Sequence, residues 1–185
     1  MHISHITTMT RVGQVVKHPS HDKKLAFNYD PAITRELRKD ERGRVYALCI
    51  DGEIVKIGGS QAKGGIDGTY SAYFSGFAKG MSERTYCVWN FISRAIEYGE
   101  VVEVYCVWAD TVTVQVPTMT GSVKQTIAID FHAIENNFVN EYIALEGKHP
   151  FLNMQESGRR WVDTGLLEGY INKDGTIYGS NKPSA

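Results

Sequence analysis

Two short apolar runs, residues 44–50 and 53–60, each carry one polar head inside them: the Tyr46 phenol in the first, the Lys56 ammonium in the second. The Asp51-Gly52 pair between them is a two-residue hairpin signal, because a type I′ turn needs positive φ and Asp-Gly tolerates it. Folding back at that turn sets Ile50 against Glu53, Cys49 against Ile54 and Ala47 against Lys56. Tyr46 then stands opposite Ile57 and diagonal to Lys56, and a bulge or strand twist decides whether the two heads share a face. The chemistry at stake is proton transfer. A nearby positive charge favours phenolate over phenol and makes a tyrosine a usable base. Strand tyrosines are otherwise common core residues and hairpin lysines common edge charges, so the pair needs partners from elsewhere in the chain.

The surrounding elements must deliver those partners. Residues 1–24 hold four of the six histidines, His2, His5, His18 and His21, at no common helical spacing. They frame either a strand around residues 12–16 or a partly mobile arm. Pro31 suits the first turn of a short basic helix. Residues 61–68 are too glycine-rich for a regular element and match neither a phosphate loop nor a dinucleotide fingerprint. They lead into residues 69–76, a short helix presenting Tyr70 and Tyr73 on one face. The spacing of Tyr86, Trp89, Ile92 and Ile96 predicts a helix over 83–98, stopped by Gly99.

Residues 101–109 predict a central strand, and 111–129 a second hairpin turning near Thr120-Gly121. Asp130 caps a helix striped by Ile134, Phe138, Tyr142 (or Glu141) and Leu145 and ended by Gly147. Residues 150–153 are expected to be extended, and a last hairpin centres on Asp174-Gly175. The expected fold class is α+β: a small central, mainly antiparallel sheet flanked by helices, in a single compact domain. Within it, residues 1–43 form an N-terminal arm with a short basic helix, 44–153 the core, and 154–185 a C-terminal hairpin extension.

A chain of 185 residues with 42% hydrophobic and 22% charged residues suits one well-packed domain and argues against wholesale disorder. No apolar stretch is long enough to cross a bilayer, and Met1-His2-Ile3-Ser4-His5 lacks the features of a leader, so a soluble cytoplasmic protein is expected. Cys49, Cys87 and Cys106 lie in apolar runs without metal spacing and read as buried free thiols. A net charge of −1 argues against a sequence-blind nucleic-acid binder. The charge is uneven, however. Arg35, Arg38, Lys39, Arg42 and Arg44 crowd the approach to the first hairpin, and Lys148, His149, Arg159 and Arg160 the tail of the Asp130 helix. On one face they would make a positive groove; as a solvated surface, the commoner outcome, they would mean nothing.

The order of five short segments adds specificity that none has alone: Val45-Tyr46-Ala47, Val55-Lys56-Ile57-Gly58, Tyr73-Phe74-Ser75-Gly76, the strand from Val101 to Tyr105, and Ala133-Ile134-Glu135-Asn136-Asn137-Phe138. In that order the chain resembles the GIY-YIG nuclease superfamily, closest to its small type II restriction endonucleases with Lys-Ile-Gly in the second motif. The resemblance spans residues 44–153 and implies a GIY-YIG-like core.

The resemblance implies a sequence-specific double-stranded DNA endonuclease that uses Mg²⁺ or Mn²⁺, leaves 5′-phosphate and 3′-hydroxyl ends, and works as a homodimer. It implies Glu135 as metal ligand, Tyr46 as general base or as the group orienting water, and Lys56 as the amine that acidifies it. Tyr73 falls at a second, phosphate-contacting tyrosine, and Asn153 at the asparagine that follows the glutamate helix. One position departs from the pattern: Thr69 stands where the family has an arginine, and Lys63 and Arg84 are the candidate replacements. DNA contacts would fall to Arg42, Arg44, Lys63, Lys79, Arg84, Arg159 and Arg160. The rivals are a non-catalytic DNA-binding module on the same scaffold and a phage enzyme degrading host DNA. Without that context, Glu135 reads as an ordinary acid near a helix start and Tyr73 as core packing with Phe74 and Phe77.

Overall fold

The structure is a computed structural model that describes residues 1–76, 81–154, 158–172 and 176–178. Its first two strands, β1 (Thr10–His18) and β2 (His21–Tyr29), form a hairpin, followed by helix α1 (Arg35–Lys39). The Asp-Gly hairpin pairs β3 (Arg44–Ile50) with β4 (Glu53–Ser60), and Asp51 and Gly52 both take positive φ, as the turn requires. Helices α2 (Gly65–Phe74) and α3 (Glu83–Glu97) precede β5 (Val102–Trp108). A ribbon of β6 (Thr111–Thr118) and β7 (Gly121–Ala128) then leads into α4 (Phe131–Glu146).

Five strands make one antiparallel sheet in the order β2-β1-β5-β3-β4, so the fold is α+β. Every residue of β3 is buried, which explains its unbroken apolar run: both faces are covered. Tyr46, Leu48 and Ile50 face α2 and α3 in one core with Ile66, Tyr70, Tyr73 and Ile92. Val45, Ala47 and Cys49 face α4 in a second core with Val139 and Tyr142. The three cysteines are free and buried. Among the described residues no helix is long and apolar enough to cross a membrane.

Several local expectations are corrected. Residues 10–18 do form a strand, and 21–29, given no element from sequence, form the other edge of the same sheet. Helix α1 starts at Arg35, after a Thr34 cap whose hydroxyl accepts from the Leu37 amide at 3.2 Å, so Pro31 lies outside it. Helix α2 begins inside the glycine-rich stretch, where Gly65 (φ 68°) leaves no room for a side chain beside the Arg38 carbonyl. Leu145 is exposed, and α4 buries Val139 beside Tyr142 of the expected stripe. Residues 150–153 form a turn, with the Asn153 amide on the Pro150 carbonyl at 2.9 Å.

The C-terminal segment packs on α3: the Tyr86 hydroxyl donates to the Glu168 carbonyl at 2.5 Å and the Asn90 amide to Leu166 at 2.8 Å. Ile171 pairs antiparallel with Ile177, while the expected turn residues Asp174 and Gly175 lie outside the described residues.

Candidate active site

The pairing of β3 with β4 begins as counted from the turn, Ile50 with Glu53 and Cys49 with Ile54, and then slips by one at a bulge, leaving Val55 as the extra residue. Beyond it Lys56 stands opposite Leu48, not Ala47, and Tyr46 opposite Gly58, not Ile57. A one-residue slip turns every later side chain to the other face. The bulge therefore puts Tyr46 and Lys56 on the same side of the sheet, toward α2 and α3.

Two glycines make the edge of the sheet thin at this point. A Cβ on Gly58 would sit 2.6 Å from the hydroxyl and Cζ of Tyr46. One on Gly59, which faces the opposite way, would fall on the carboxylate of Glu135 and lie 3.0 Å from the Phe131 ring. Since β4 is the outer strand, groups from the two faces meet around its open side. The result is a cleft of about 230 Å³ lined by Lys56, Gly59, Arg84, Glu135, Asn153 and Trp161, among others.

Tyr46 is 3% exposed, and its phenol interacts with that of Tyr73. The Arg84 guanidinium in turn donates to the Tyr73 hydroxyl at 3.5 Å, from the first turn of a helix capped by Ser82. Burial pushes the Tyr46 phenol well above its ordinary range; Tyr73 and Glu135 push the same way, and the cation acting against them is Arg84. Tyr46 is thus a neutral phenol at neutral pH. Desolvation is the largest influence on the phenol, ahead of every neighbouring charge. Tyr73 and Tyr70 are buried as well, so α2 does not present its phenols to solvent.

Asn153 spends its amide on the backbone of the outer strand. Its Oδ1 accepts from the Ile57 amide at 3.0 Å and its Nδ2 donates to the Ile57 carbonyl at 2.9 Å. With the Leu152 amide on the Val55 carbonyl at 2.8 Å, this turn supplies the partners that an edge strand lacks. Asn153 holds the strand that carries Lys56 and the two glycines.

Of the two candidate replacements for the missing arginine, Arg84 lines the cleft, whereas Lys63 is exposed in the loop before α2. Thr69 is hydrogen-bonded to Ser60 at 3.1 Å. Arg44, grouped above with the DNA contacts, is completely buried with its guanidinium on the carbonyls of Arg42 and Ala62, so no phosphate can reach it. Arg42 pairs with Asp40 at 2.7 Å and Asp110 at 3.3 Å. Arg159 lies over the Phe151 ring at 5.2 Å and Arg160 pairs with Asp163 at 3.4 Å; both are exposed. Lys79 lies outside the described residues.

Sequence reasoning missed Trp161, and it missed His132, whose Nδ1 stands 3.6 Å from Glu135 Oε2. The i, i+3 spacing of His132 and Glu135 on a capped helix was a usable signal for the second; nothing local marks the first. Among the described residues, no three His, Cys, Asp or Glu side chains converge on a point that could hold a metal. A lone carboxylate at the rim of a polar cleft still fits Mg²⁺, which keeps several waters and needs only one or two carboxylates beside a substrate phosphate.

No protein-family model matches the chain, and no curated protein matches its sequence. Among solved structures, bacteriophage T4 EndoII aligns with a TM-score of 0.49 and 17% identity over 83% of this chain and 98% of that one. Restriction endonuclease HPY188I in complex with product DNA aligns with a TM-score of 0.42 and 21% identity, over 77% and 78%. Likenesses this weak carry no argument, and the α+β fold stands on the sheet order and helices described above.

Proposed function

We propose that the protein is a DNA endonuclease, and that the cleft at the edge of β4 is its catalytic centre. One observation carries the reading: a carboxylate from one side of the sheet, Glu135, and two cationic side chains from the other, Lys56 and Arg84, line one polar cleft beside a buried tyrosine pair. The ordered GIY-YIG-like motifs of the sequence fall on these same elements. A phosphodiester in this cleft would meet Arg84 and Lys56, which offset the charge that builds on its oxygens as the bond breaks. Arg84 then fills the role of the arginine replaced by Thr69. Tyr46, buried beside Tyr73, would orient the attacking water or relay its proton as the bond to phosphorus forms. Glu135 would hold a divalent cation, Mg²⁺ or Mn²⁺, whose charge stabilises the leaving oxygen.

A single cleft of this kind cuts one strand. Double-strand cleavage at a specific site in the manner of a restriction enzyme therefore calls for a homodimer meeting both strands. The test is incubation of supercoiled plasmid with the protein and Mg²⁺, beside Glu135→Ala. Nicking or linearisation that disappears in the variant and on chelation is expected. DNA retained but never cut, across substrates and metals, would favour the non-catalytic binding module.

A further inference from the structure

The β6–β7 ribbon is the part of the molecule that the site leaves unused. Its eight cross-strand pairs run from Thr111–Ala128 to Thr118–Gly121, and every residue of β7 is exposed. Beyond their mutual pairing the two strands make few contacts with other elements among the described residues, and Met119 at the tip is fully exposed. An amide–carbonyl bond of 2.9 Å between Ile129 and Asp110 closes its base, directly before the α4 cap. Glu135 follows within the second turn of that helix, so the ribbon springs from the rim of the cleft.

Register sorts its side chains cleanly. One face carries Thr113 with Thr126, Gln115 with Lys124 and Pro117 with Ser122; the other is mostly valine and isoleucine. On the polar face Thr113 and Thr126 are hydrogen-bonded at 3.2 Å, and Ser122 donates to Gln115 Oε1 at 3.1 Å, which turns the Gln115 amide nitrogen away from Ser122. The chain holds 21 acidic residues, yet none lies between Thr111 and Ile129, where the one charge is Lys124. Asp110 at the base is paired with Arg42.

Resting on the endonuclease reading, we infer that this ribbon enters the major groove beside the cleft and reads bases with Gln115, Lys124 and Thr126. The major groove, about 12 Å wide, admits a two-stranded β-ribbon. Glutamine, lysine and threonine are side chains that recognise adenine, guanine and the thymine methyl there, and an acid-free ribbon approaches phosphates without repulsion. A second copy of the chain is the weaker occupant. The apolar face measures about 27 by 10 Å, roughly a third of the ~800 Å² per partner that a stable interface buries.

The test is selection from a randomised duplex library in EDTA, so that nothing is cut, using wild type, Gln115→Ala/Thr126→Val and Lys124→Ala. Wild type should enrich a base preference that the double variant loses at one or more positions, while overall affinity stays within about tenfold. Lys124→Ala, which removes a cation from the groove, should relax the preference at the base pair it reads and reduce the dependence of log K on log salt by about one unit. Because the ribbon stands outside both cores, thermal melting should not change. Wild-type preference and salt dependence retained in both variants would overturn the ribbon's role, as would a wild type that enriches no preference. Variants that alter sedimentation but not DNA binding would reassign the ribbon to a second copy of the chain. If no duplex retains wild type at all, the endonuclease reading fails, and this one with it.

Discussion

The two sides of the sheet edge are built by opposite means. On the side of α2 and α3, Tyr46, Lys56 and Tyr73 are 3, 5 and 8% exposed, and the two tyrosines pack on the Tyr70 ring. On the side of α4, Glu135 has a fifth of its side chain exposed and rests on a glycine, with the open His132 beside it. The difference teaches a division of labour. Under the endonuclease reading, the rigid half would fix where a phosphate lies, and the soft half would keep a carboxylate free to settle around a hydrated ion whose geometry is demanding.

Each prediction strains one half against the other. Glu135→Gln removes the anionic ligand and should lower cleavage by about a thousandfold or more while leaving DNA binding intact; plasmid cleavage and fluorescence anisotropy, run together, check both parts. Arg84→Ala should cost about a hundred- to a thousandfold in kcat, the range for losing a charge stabiliser at a reacting centre. Lys63→Ala, outside the cleft, should change kcat less than about threefold, and single-turnover rates of the two variants decide between them.

Gly58→Ala and Gly59→Ala then separate the halves directly. At Gly58 the new methyl meets the buried Tyr46 ring, so both stability and activity should fall, by about 1–3 kcal/mol for overpacking. At Gly59 it meets the end of a flexible carboxylate, so the melting temperature should hold while activity drops at least tenfold. Equal behaviour of the two variants would break the comparison. Asn153→Ala leaves the buried Ile57 amide and carbonyl without partners and should cost about 2–4 kcal/mol in urea unfolding.

The last effect is absent at neutral pH and appears only in alkali. Burial raises the Cys49, Cys87 and Cys106 thiols from about 9 to about 12. Unfolded thiols therefore lose protons that folded ones keep, and stability, complete below pH 9, should fall as pH rises toward 12. The loss is on the order of 1 kcal/mol per thiol per pH unit, read from urea midpoints.

What was legible in the sequence was local. The Asp51-Gly52 turn, the helix of Tyr86 to Ile96 stopped by Gly99, the Asp130 cap and the alternation of 111–129 each depend on neighbours a few residues away. The bulge at Val55 was not legible, because Ile54-Val55-Lys56 carries no glycine or proline to mark it, yet it decides the face of Lys56. Strand β2 was missed because an outer strand such as His21–Tyr29 is polar at most positions. Gly64-Gly65 read as a loop, where tight packing against α1 was the real demand. The place of Arg84 in the cleft and of Lys63 outside it, the burial of Arg44 and the clamp by Asn153 are tertiary facts that no local pattern encodes.

The most direct test is a crystal structure with Mn²⁺ and an uncleavable duplex, read by anomalous scattering. A peak within about 2.3 Å of a Glu135 carboxylate oxygen, with the phosphate between it and Arg84, is the predicted result. A peak elsewhere, or Glu135 turned away from Gly59 while DNA fills the cleft, would contradict a centre shared by the two faces.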